Sequence, residues 1–131
     1  MQDRPLPKQL LESVSSCLRE EILPALGPRQ SYRLRIVINA LAVVARQLDY
    51  AAGAGDTDEI QRLKQLLGAT DNKSLDELTA ALCDRIGSDE MKDHDALIQH
   101  LWLTTMAKIE VDQPEYAGYR KAIELWKLRA G

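Results

Sequence analysis

Apolar residues recur along this chain with the period of a helix, and turn-forming residues cut the pattern into segments. Over residues 7–26, Leu10, Val14, Cys17 and Leu18 lie three, four or one apart, with Glu12 and Arg19 off the stripe, which predicts a first helix. Pro5 and Pro7 suit its opening turn, and Gly27-Pro28 stops it. A second helix is predicted from about Gln30 to Ala52. Projected at about 100° per residue, Leu34, Val37, Ile38, Leu41, Val44 and Leu48 cover one broad side, and Ile36, Ala40 and Val43 much of the rest. Arg35, Asn39, Arg46 and Asp49 fall in one narrow wedge, joined by Ala42. A helix apolar around most of its girth is expected at the centre of its bundle.

Asp56 is a good N-cap for a third helix, with Ile60, Leu63, Leu66 and Leu67 as its apolar face and Gly68 as its stop. Ser74-Leu75-Asp76-Glu77 forms a capping box that opens a fourth helix, carrying Leu75, Leu78, Leu82 and Ile86 and closed by Gly87. A fifth is predicted from Ser88 or Asp89 to about Val111, with Leu97, Leu101, Thr104, Lys108 and Val111 as one stripe and Ile98, Trp102, Thr105 and Ile109 beside it. Pro114 ends that helix and opens a sixth, with Tyr116, Tyr119, Ile123 and Trp126 at helical spacing. No segment reads as a strand and no repeat is evident. The expected fold is an all-α, single-domain bundle of five or six helices over residues 1–131, with the second helix (about 30–52) central.

Composition narrows this further. A chain of 131 residues buries enough surface to fold without a metal or disulfide. It contains no Phe, so its core is expected from Leu, Ile, Val and Ala with Trp102 and Trp126. Cys17 and Cys83 have neither CxxC nor zinc spacing and are expected as buried free thiols of a reducing compartment. "MQDRPLPKQ" lacks the apolar core of a signal peptide, and no uncharged apolar stretch reaches membrane-spanning length. A cytoplasmic location away from membranes is expected.

The net charge of −3 is unevenly distributed. Residues 29–46 carry four arginines and no acid, whereas residues 71–95 carry eight acids against three bases. An acidic chain without a basic stripe argues against nucleic acid, whose binding needs many phosphate contacts. The two charged stretches suit solvated faces, a docking surface, or a symmetric homodimer in which each meets the other twice.

Catalytic patterns are missing. His94 and His100 lie on different sides of the predicted fifth helix and do not converge, and the paired Glu-x-x-His motifs of a helical di-iron site are absent. "LLGATDNKSLDELTAAL" is similar to the prosthetic-group serine region of an acyl carrier protein, but Lys73 precedes Ser74, and capping accounts for the serine. The same stretch has the outline of a helix-turn-helix, which its acidity argues against. "AAGAGD" lacks the ending of a phosphate loop and follows a helix instead of a strand. No nucleophile–base pair is visible, so a non-enzymatic protein without metal or cofactor is expected. The candidate site is the wedge. Arg35 and Asn39 stand one turn apart and Arg46 lies two turns further on, and two guanidinium forks beside an amide can hold a carboxylate or phosphate. The structural reading, which weighs more, is that the wedge faces water or that a buried Asn39 is satisfied by a neighbouring backbone.

The stretches "RPLPKQLLESVSSCLREEILPAL", "YRLRIVINALAVVARQL" and "AKIEVDQPEYAGYR" resemble a family of small bacterial helical proteins of unknown function. The resemblance runs from Arg4 to Arg120 and centres on Arg35-x-x-x-Asn39-Ala40-Leu41 with Arg46-x-Leu48. Gln47 stands where that family more often has Glu, and "DQPEY" at 112–116 matches its Asn- or Gln-Pro-x-Tyr stretch. Members tend to be encoded beside an aminoglycoside-phosphotransferase-like kinase and an acyl-CoA dehydrogenase. The resemblance carries no catalytic residue. It implies a non-catalytic accessory protein that binds the kinase-like enzyme in acyl-CoA metabolism. The alternative is a binder of an anionic acyl or phosphate compound at Arg35, Asn39 and Arg46.

Overall fold

A computed structural model describes residues 4–91 and 93–130. Lys92, one of the bases of the acidic stretch, and the first three residues lie outside the described residues. The chain is all-α, with six α-helices and no strand among the described residues. It divides into two compact units, Met1–Ala52 and Gly53–Gly131, which are described in turn.

In the first unit, α1 spans Pro7–Cys17 and α2 spans Pro28–Ala52. Pro7 sits at the first helical position, where its missing N–H costs nothing, and the Leu6 N–H donates to Gln9 Oε1 at 2.9 Å. The predicted first helix is not continuous to Leu26. It widens into a π-helical stretch over Leu18–Ile22 and tightens into a 3₁₀ turn over Leu23–Ala25. Pro24 explains the break, since it has no N–H to donate and its ring would collide with the preceding turn of an α-helix. The Ser31 N–H donates to Gly27 O at 2.9 Å, and the Ser31 hydroxyl to Leu26 O at 3.1 Å, so α2 starts earlier than Gln30.

Within this unit α2 packs along α1 and the turn that follows it, as one arm of a helical hairpin. The unit therefore gives α2 one long partner, where a place at the centre of a bundle was expected. Its contact side is Ser31, Leu34, Ile38, Leu41, Ala42 and Ala45, of which Ile38 is buried. The facing side is Leu11 and Ser15 of α1 with Leu18 at the start of the π-helical stretch, all half-buried. The predicted stripe is thus turned by about one position: Leu18 holds its place, but Leu10, Val14 and Cys17 are exposed. Lys8 Nζ bridges the two helices at 2.8 Å from Asp49 Oδ2. This exposed pair holds the Lys8 ammonium above its ordinary pKa, chiefly through the hydrogen bond to Asp49, and adds little stability in water.

The second unit contains α3 (Gly55–Leu67), α4 (Leu75–Gly87), α5 (His94–Asp112) and α6 (Ala117–Ala130). Its core is Leu63 and Leu67 of α3, Leu78 and Leu82 of α4, and Met91 from the connection to α5, with Ile60, Leu66, Leu75, Ala81 and Leu97 packed around them. Burying five large side chains, each at roughly 1.5–3 kcal/mol, drives this unit together. α3 opens on main-chain bonding at Ala54, with Asp56 in its first turn and not at its cap. It ends as predicted at Gly68, whose φ of 64° suits a residue without Cβ.

The capping box of α4 is present. The Glu77 N–H donates to Ser74 Oγ at 3.3 Å, and the Ser74 N–H to Glu77 Oε2 at 2.8 Å. The backbone bond to Ser74 holds the Glu77 carboxyl below its ordinary pKa. α4 ends at Gly87 as expected, but the left-handed residue that closes the turn comes two positions later. Asp89 takes a positive φ of 56°, its N–H donates to Ile86 O, and the Glu90 N–H donates back to Arg85 O at 3.0 Å. That is a Schellman ending with Asp89 in the left-handed position. The turn also displaces the start of α5 from Ser88 or Asp89 to His94, where the Asp93 carboxylate accepts from the Ala96 N–H at 2.9 Å. Cys83, like Cys17, is exposed: the inward side of α4 is Leu75, Leu78, Ala81 and Leu82. Both cysteines correct the expectation of buried thiols.

α5 and α6 meet through Trp102 and Trp126, stacked with ring centroids 6.4 Å apart and planes at 20°. Tyr119 of α6 is buried; burial, helped by the charge of Glu110, raises its phenol pKa. Tyr116 and Trp126, expected on the same stripe, are largely exposed.

Candidate functional site

The wedge residues Arg35, Asn39 and Arg46 lie along about three turns of α2, flanking its contact with α1. Arg35 and Asn39 are exposed, and Arg46 is half-buried and engaged in an interaction. Asn39 is thus a solvated amide. Asp49, at the end of the wedge, is taken up by Lys8. The helix brings the three candidates to one side of α2, as a ridge along it.

A concave site lies elsewhere. Between α3 and α5 is a cavity of about 440 Å³, within the range of small-molecule sites. Leu66 and Leu103 give it an apolar wall, and Arg62, Gln65, Gln99 and His100 turn polar groups toward it, with Asp93 at its α5 end. His100 is 5% exposed, the one buried polar residue among the described residues. Its Nδ1 has no protein hydrogen-bond partner, and neither does the buried Nε of Arg62. Two buried, unpartnered nitrogens on residues that line one cavity are unusual, because such atoms are nearly always satisfied. Burial lowers the His100 pKa below the ordinary 6.5, the Arg62 charge lowers it further, and Glu59 opposes both. Glu59 itself accepts from the Thr104 hydroxyl at 3.3 Å, which ties α3 to α5 beside the cavity.

The sequence pattern passed over both residues. The packed side of α5 is Leu97, His100, Leu103, Thr104, Ala107 and Val111, whereas Leu101 and Lys108, expected on it, are exposed, as are Ile98, Trp102 and Thr105 beside it. The signal was nonetheless there: His100 stands three residues after Leu97 and four before Thr104, inside the stripe that those two define. His94 is exposed at the start of α5 and does not share the cavity. Two further cavities, of about 370 and 280 Å³, flank the Trp102–Trp126 stack between α5 and α6. None of the three is lined by α2, and no described helix is long and apolar enough to cross a membrane.

An all-α chain with a polar ridge on one helix and a cavity between two others defines a class of helical domain and no chemistry. Residues 24–116 match the family model described as Domain of unknown function (DUF6285), and the chain belongs to that family. The matched span holds Arg35, Asn39 and Arg46 as well as Arg62 and His100, and leaves out α6. No curated protein and no solved structure matched.

Proposed function

We propose that this protein is a cytoplasmic, non-catalytic accessory protein of bacterial acyl-CoA metabolism that docks through α2 onto a phosphotransferase-like enzyme. One observation carries this reading. Ile36, Val37, Val44 and Leu48 are 53%, 48%, 43% and 38% exposed on the sides of α2 that α1 leaves uncovered. An exposed apolar stripe with a charged margin is the usual make-up of a protein-binding helix face. Its margin is basic, with Arg29, Arg33 and Arg35, and this suits a partner groove with an acidic rim. The kinase-like partner comes from the resemblance of the sequence to its family.

The test is co-purification of the kinase-like protein with the wild-type chain and with Val37→Glu and Val44→Glu variants. A stoichiometric complex that both variants lose, while keeping their helical circular dichroism, supports the reading. Undiminished binding by the variants sinks it. A wild-type dimer in light scattering that the variants convert to monomer assigns the stripe to a second copy instead.

A second reading keeps the ridge and changes the occupant: an anionic acyl or phosphate compound on Arg35, Asn39 and Arg46. It is favoured by Arg35 and Asn39 being exposed one turn apart. A ligand-binding ridge gains thermal stability with acyl-CoA or acyl phosphate, because binding to the native state shifts unfolding by mass action, and loses that gain in Arg35→Ala.

A further inference from the structure

We propose that the cavity between α3 and α5 binds a small organic acid carrying one carboxylate, held by the Arg62 guanidinium and the His100 imidazole.

The donor set selects the group. Arg62 is permanently charged and lines the cavity, and its buried Nε–H has no protein acceptor. It forms no ion pair among the described residues, although Glu59 lies one turn earlier on α3 and is occupied by Thr104. A buried guanidinium donor is costly to leave unsatisfied, and a carboxylate is its best complement. The His100 imidazole supplies a second donor when the nitrogen on the cavity side carries the proton, and two donors on one planar carboxylate give directional recognition.

The surroundings limit the charge. Asp93 stands at the α5 end with one oxygen already accepting from the Ala96 N–H, and Glu59 faces His100 from α3. Two resident carboxylates oppose a dianion such as phosphate and tolerate a single negative charge. The rest of the cavity describes the body of the ligand. Leu66 and Leu103 accommodate a short apolar chain, while the Gln65 and Gln99 amides can meet a hydroxyl or carbonyl at the open side. The site uses no residue of α2 and stands or falls separately from the docking surface.

The chain has two histidines, so imidazole NMR reads the cavity directly, with His94 as an internal control. The ¹⁵N-labelled protein is titrated with sodium hexanoate and, separately, with sodium phosphate at matched ionic strength. Saturable shifts of the His100 nitrogens with hexanoate, an unmoved His94, and no saturable response to phosphate are expected. Arg62→Gln is expected to weaken hexanoate binding by about tenfold or more. Gln99→Glu, on the exposed rim, puts another negative charge beside the ligand and is expected to weaken it by about as much without touching the packed side of α5. No saturable shift up to tens of millimolar hexanoate, or an unchanged affinity in Gln99→Glu, overturns the proposal. A saturable response to phosphate alone overturns the carboxylate assignment.

Discussion

The surroundings of His100 penalise the imidazolium and lower its pKa: burial first, then the neighbouring Arg62, against a partial offset from Glu59. The sign of the consequence is fixed. The native pKa lies below the unfolded value, so the unfolded chain takes up the proton first as pH falls. Stability is therefore full above about pH 6.5 and declines from there down to the native pKa. Urea unfolding across this window is expected to show the decline in the wild type and a flatter profile in His100→Gln. At the same scale lies the limit of what the pattern revealed. Arg62 and His100 belong to different helices, and their meeting depends on how α3 packs against α5, which neither local segment encodes. The wedge on α2 was legible because one helix defines it. That it is a ridge, with a solvated Asn39, was not, because a wheel carries no information about what stands opposite.

The elements themselves follow from local rules wherever a few neighbouring residues decide the outcome. Ser74 and Glu77 fix the start of α4, and Gly68 fixes the end of α3, because each satisfies backbone groups within one turn. Which side of a helix faces inward is less local. α1 and α5 carry apolar residues around much of their circumference, so a one-position turn costs the pattern little, and packing against α2 and α3 decides it. Cys17 and Leu101 end outside, and Leu11 and His100 inside, for that reason. The ending of α4 offers a test at this scale. Asp89 holds a left-handed conformation that glycine adopts without penalty. Asp89→Gly is expected to raise stability by about 0.5–1 kcal/mol, set by the strain relieved minus the added freedom of the unfolded chain. A matched pair of denaturation curves with equal slopes reads the difference. A loss of stability instead assigns the Asp89 side chain a role beyond its backbone.

At the scale of the whole molecule, the two units are unequally built. Among the described residues, Met1–Ala52 buries Ile38, whereas Gly53–Gly131 encloses a leucine core, a buried tyrosine and His100. Apolar burial is the main source of stability, so the first unit is expected to melt at lower denaturant. The Trp102–Trp126 stack makes this observable with no label added. The chain has two tryptophans, and both belong to the second unit. Excited on the red edge, where tyrosine is dark, the protein emits only from residues 53–131, while circular dichroism weighs every helix alike. Helical signal lost ahead of the change in tryptophan emission is expected; superimposed curves mean that the two units melt as one. The paired indoles thus act as a built-in optical reporter for the second unit, and α1 and α2 contribute no tryptophan emission beside them.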